Sequence, residues 1–141
     1  MTKAHHTAIC TNDVDTSLAF WRDGLGFETT MDLEFEGDWP TLFDAPSERL
    51  RSVFLGDPAD PSAGTVELVD LGPLPGAAAA AEGPGTGFFL VSVYVDVDPT
   101  LARLAELGLG GEPRRIEVHG VSMAVVRDPN GVRVELIGLP S

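Results

Sequence analysis

Two hydrophobic rhythms alternate along this chain. From Ala4 to Thr11 the period is two, which places His6, Ala8 and Cys10 on one face of a strand and Thr7 and Ile9 on the other. Val14, Leu18, Trp21 and Leu25 then recur at helical spacing, with Asp13 or Asp15 as the cap and Gly24 and Gly26 as the stop. Period two returns over Phe27 to Phe35, with Met31, Leu33 and Phe35 on one side. Glu36 to Ser52 has no clear period and carries Trp39, Leu42 and Phe43 in an expected loop. Arg51 to Leu55 and Gly64 to Leu71 read as the third and fourth strands.

Leu74 to Gly87 breaks the pattern. Ala77 to Ala81 sit between Pro75-Gly76 and Gly83-Pro84-Gly85, which is linker composition with room for one helical turn. The rhythms then restart. Phe88 to Val95 reads as a strand. Val97, Leu101, Leu104 and Leu107 form a helical stripe with Pro99 in its first turn. Glu117 to Arg127 is a strand broken at His119-Gly120. Asp128-Pro129-Asn130-Gly131 is a turn, and Arg133 to Ile137 closes the pattern with Val134 and Leu136 inward and Glu135 on the other face.

The two passes match residue by residue. Thr65-Val66-Glu67-Leu68-Val69 falls on Arg133-Val134-Glu135-Leu136-Ile137, and Asp13-Val14-Asp15-Thr16-Ser17-Leu18 on Asp96-Val97-Asp98-Pro99-Thr100-Leu101. Carrying that match back without a gap pairs His6 with Phe89. The chain therefore reads as two copies of one unit with four equivalent corners: His6, Glu67, Phe89 and Glu135.

These stretches resemble the vicinal oxygen chelate superfamily, which includes glyoxalase I, bleomycin resistance proteins, extradiol dioxygenases and methylmalonyl-CoA epimerase. His6-Thr7-Ala8-Ile9 carries the resemblance, with Asp13 to Phe27 in the pattern Asp-x-x-x-Ser-Leu-x-Phe-Trp-x-x-x-Leu-Gly-Phe. Val66-Glu67-Leu68, Asp128-Pro129-Asn130-Gly131 and Val134-Glu135-Leu136 complete it. It implies an α+β fold in which two βαβββ modules, 4–73 and 87–140 joined by 74–86, form a cup-shaped mixed sheet. It also implies a homodimer, with module exchange permitted by the joint. Metal-using members place one ligand at each corner.

Composition narrows the partners. The 141 residues suit one domain of two small modules. A net charge of −13 disfavours nucleic acid and anionic membranes, and its long-range field favours a cationic or neutral ligand. Its other reading is solubility alone. Cys10 is the one cysteine, and the N-terminal residues lack the apolar core of a secretory signal, so a cytoplasmic protein is expected. Cys10 itself reads as a small buried residue.

Two functions fit the corners. His6, Glu67 and Glu135 form a nitrogen and oxygen donor set for one divalent ion (Zn, Ni, Mn, Fe or Co), with Glu135 as the catalytic base of a glyoxalase-like lyase, isomerase or dioxygenase. Phe89 cannot ligate. With Trp39, Phe43 and His119 it instead points to a small-molecule binding protein of bleomycin-resistance type that sequesters an aromatic or apolar compound. A purely structural or interaction module is the remaining alternative. His5, adjacent to His6 on a strand, is expected to face away from it.

Overall fold

A computed structural model describes residues 2–61, 64–76 and 84–139. Two four-stranded mixed sheets carry the fold. Sheet 1 contains β1 (His6–Cys10), β2 (Glu28–Glu36), β3 (Arg49–Gly56) and β4 (Thr65–Asp70) in the order β1-β4-β3-β2. Sheet 2 contains β5 (Val91–Val95), β6 (Gly110–Val118), β7 (Val121–Arg127) and β8 (Arg133–Gly138) in the order β5-β8-β7-β6. In each, the first strand runs parallel to the fourth and the other pairs are antiparallel. This is the expected α+β architecture of two βαβββ units.

The helices are α1 (Val14–Leu18), α2 (Trp39–Phe43) and α3 (Val97–Glu106). The Asp13 carboxylate caps α1 by accepting from the Thr16 N–H. Beyond Leu18 the helix widens into a π-type turn, Ala19–Gly24, in which the Leu25 N–H reaches back to the Phe20 carbonyl. The widening leaves Phe20 and Trp21 both fully buried. No described helix is long and apolar enough to cross a membrane.

One core joins the modules. Val53, Leu55, Val66 and Leu68 from sheet 1 and Ala124, Val126, Val134 and Leu136 from sheet 2 belong to the same buried cluster as Leu18, Trp21 and Leu104. Each sheet thus has an inner face on this core and an outer face directed away from it. Strand alternation fixes which residue goes where.

The Asp128 turn locks the modules together. Asp128 is 4% exposed. Its Oδ2 accepts from Trp21 Nε1 at 3.1 Å, and its Oδ1 accepts from the Asn130 and Val132 N–H groups, both at 2.8 Å. Asn130 Nδ2 donates to Ser17 Oγ across the same junction at 3.1 Å. The two stretches most legible in the sequence, Ser17 to Trp21 and Asp128 to Gly131, therefore hold each other.

Several boundaries differ from the sequence reading. Trp39–Phe43 is a short helix, capped by Asp38, in the expected loop. The second strand of module 2 begins at Gly110, well ahead of Glu117, because a bulge between Gly110 and Arg114 hides its alternation. Phe88 and Phe89 precede β5 instead of belonging to it. Leu107 is exposed, so the α3 stripe ends at Leu104. The alanine run Ala77 to Ala81 lies outside the described residues.

Candidate functional site

The outer face of sheet 1 carries the clearest polar constellation. Thr65, Glu67 and Val69 of β4 point outward, since Val66 and Leu68 fill the core. Glu67 sits between Ala8 of β1 and Phe54 of β3. His6, two residues before Ala8, shares that face, and its Nε2 lies 3.3 Å from Glu67 Oε1. The other Glu67 oxygen accepts from Ser52 Oγ at 2.5 Å, and Ser52 is buried. The Glu67 side chain is 16% exposed and the His6 side chain 33%. A half-buried carboxylate with both oxygens engaged is a built feature, unlike an acid on a solvated face.

His5 adds to this group, against expectation. Its Nδ1 is 2.7 Å from the Nδ1 of His6, and both rings meet the Phe54 ring edge-on. When His6 Nε2–H points to Glu67, His6 Nδ1 must accept from His5 Nδ1–H. The backbone ahead of β1 permits this because His5 precedes the strand and is not bound by its alternation.

Cys10 also lies on this face and is exposed, not buried. Partial burial around its sulfur, with the nearby Glu67 charge, pushes its thiol up. That is the opposite of an activated nucleophile.

A second, smaller apolar cluster covers one end of the sheet 1 outer face. Ala45, Leu50, Val69 and Leu71 are its buried members, and Trp39 and Leu74 pack on them. Trp39 stacks on Phe43 at 5.8 Å with the rings 11° apart. Leu42 and Phe43 remain exposed. The irregular excursion after β2 is thus a flap on the outer face.

Sheet 2 holds the remaining candidates. Glu135 is the counterpart of Glu67 and accepts from Ser92 Oγ at 2.9 Å. Its cross-strand neighbours are Ser92 and Val125. Strand register identifies the fourth corner. Ala8 is opposite Glu67 and Ser92 is opposite Glu135, so Ala8 and Ser92 are equivalent. Two residues earlier stand His6 and Leu90. The corner is therefore Leu90, not Phe89. The stretch from β1 into α1 is one residue longer than that from β5 into α3, and a gapless match slides the strand by one position. Phe89 instead lays its ring over the Arg133 guanidinium, 4.7 Å from the centroid. His119 sits in the β6–β7 turn with φ 49°, lining a surface pocket of about 630 Å³ with Asp96 and Asp98, away from the other candidates.

A divalent ion holds nitrogen and oxygen ligands about 2.0–2.2 Å from itself, hence roughly 3 Å from each other. His6 and Glu67 match that spacing. Glu135 is on the other sheet, and among the described residues no group of three or more His, Cys, Asp or Glu is placed to hold an ion. The fit within one chain stops at two ligands.

A family model described as the Glyoxalase/Bleomycin resistance protein/Dioxygenase superfamily matches residues 3–136. The chain belongs to this superfamily. It is 35% identical over 147 residues to the lactoylglutathione lyase-like protein terB of Aspergillus terreus, covering 96% of this chain and 75% of that protein. Among solved structures it resembles a glyoxalase family protein from Bacillus cereus with a TM-score of 0.74, over 98% of this chain and 94% of that one at 16% identity. The trypanothione-dependent glyoxalase I of Leishmania major gives 0.70, over 98% and 87% at 23% identity. These two likenesses are likenesses of fold. Superfamily membership accounts for the paired modules and leaves the chemistry to the corners.

Proposed function

We propose that the protein binds a small, largely apolar organic molecule between the outer faces of its two kinds of sheet, in the manner of bleomycin resistance proteins. The observation that carries this reading is the apolar fourth corner. Leu90 cannot ligate, and the exposed apolar residues Leu33, Phe35, Tyr94 and Ile116 offer a ligand body contact area on both faces. The half-buried His6, Glu67 and Ser52 group then fixes a polar end of the ligand by hydrogen bonding. A homodimer that pairs module 1 of one copy with module 2 of another brings the two faces together.

A second reading rests on the 3.3 Å contact between His6 and Glu67. In it, Glu135 of another copy completes a divalent-metal centre for a lyase, isomerase or dioxygenase. Calorimetric titration of zinc and of nickel into metal-stripped protein separates the two. The binding reading expects weak uptake in the parent and little change in Glu135→Gln. Tight, stoichiometric uptake by the parent that disappears in Glu135→Gln replaces it with the metal reading.

A further inference from the structure

The chain has 22 acidic and 9 basic residues, so each arginine has a choice of carboxylates. Arg22, Arg49, Arg51 and Arg115 take one. Four others do not: Arg103, which donates to the Gly24 carbonyl and to Thr100 Oγ1, and three on sheet 2. Arg114, Arg127 and Arg133 form no ion pair among the described residues. All three lie on the outer face of sheet 2. Arg127 is directly across from Arg133. Arg114 is across from Val125, two residues along β7 from Arg127, on the same face. Like charges directly opposed on a sheet repel and destabilise it. Among the described residues Arg127 donates to the Gly131 carbonyl, and Arg133 lies against Phe89.

Beside Arg114 is a small apolar pocket. Its volume is about 160 Å³, and Arg114, Ile116, Met123, Val125 and Glu135 line it with Arg115, which is paired with Asp98. An enclosed apolar cavity of about 150 Å³ accepts one benzene ring, and this depression, open to solvent, has a similar volume. The only carboxylate on its wall, Glu135, is engaged by Ser92.

We infer that the outer face of sheet 2 selects a small organic carboxylate with a body of about one ring. The ring enters the pocket beside Met123 and Val125. The carboxylate takes the guanidinium of Arg114, with Arg127 and Arg133 adding charge nearby. A chain of net charge −13 repels anions at long range, and a local arginine group is what reverses that sign at close range. This rests on the small-molecule reading above and adds the charge and size of the ligand to it.

Phenylacetate and its neutral isostere phenylacetamide test the inference by calorimetry at fixed ionic strength. We expect phenylacetate to bind at least tenfold more tightly. The preference should vanish in Arg114→Gln, return in part in Arg114→Lys, fall in Arg133→Gln and persist in Arg49→Gln, which removes the same charge elsewhere. Equal affinity for the two compounds overturns the inference and leaves the small-molecule reading standing, since metal titration judges that reading separately. Failure of both to bind overturns the size assignment and with it the inference. An altered sedimentation coefficient in the Arg variants with an unchanged preference assigns the arginines to a second copy of the chain, and also overturns it.

Discussion

The outer faces of sheets 1 and 2 share one strand order and carry opposite chemistry. On sheet 1 a histidine and a half-buried glutamate face each other, a buried serine completes the glutamate, and the Trp39 flap covers one end. On sheet 2 the equivalent glutamate meets Ser92, leucine replaces the histidine, and three arginines form no ion pair among the described residues, one of them lining a small apolar pocket. The inner faces show no such divergence where they meet the core; there both are aliphatic. Packing demands similar residues of both copies, whereas nothing in the core constrains the outer faces. The difference teaches that the shared core keeps the two copies alike while their outer faces diverge.

The same contrast runs through the two turns that precede the fourth strands. Asp128 is buried and accepts from Trp21 and from two backbone N–H groups. Asp57, its counterpart, is exposed and accepts locally from the Ala59 N–H. Asp128→Ala leaves the Trp21 N–H and the turn amides unsatisfied and should destabilise the fold by about 3 kcal/mol. Asp57→Ala should cost less than about 0.5 kcal/mol. Urea unfolding of both variants measures the gap, and equal costs would remove the distinction between clasp and turn.

The fourth corner gives a smaller effect. If Leu90 is the true equivalent of His6, then Leu90→His should raise zinc affinity about tenfold, or about 1.4 kcal/mol. Phe89→His should change it little. A gain in Phe89→His alone would restore the register assumed from the sequence. Smallest of all is the repulsion on sheet 2. Arg127→Glu places opposite charges across the strands and should stabilise the fold by about 0.5 kcal/mol. A loss of stability would show that the arginines hold the sheet instead of awaiting an anion.

Much of the fold was legible because period two and period 3.6 are written by burial, and Glu67 and Glu135 stand in strands whose alternation is strict. The β-bulge before Arg114 and the one-residue difference after β1 were not legible, because each breaks a period without leaving a distinctive residue. A gapless match puts Phe89 at the corner for that reason. Alternation alone sends His5 to the wrong side, because it holds only within the strand that enforces it, and His5 precedes β1. The arginines had a weak signal in the sequence, Arg114, Arg127 and Arg133 in consecutive strand-like segments. Their common face and lack of partners depend on register, which the sequence leaves open.

Chance has placed one internal methionine on each outer face: Met31 across from Phe54 on sheet 1 and Met123 across from Ile137 on sheet 2. Carbon-13 labelling of the methionine methyl groups therefore reads the two faces separately in one spectrum. Titration with phenylacetate tests most directly whether the faces are halves of one site. The account predicts that the Met31 and Met123 signals move along the same saturation curve. Movement of Met123 alone, with Met31 unchanged at saturation, would contradict it and leave sheet 2 as a site by itself.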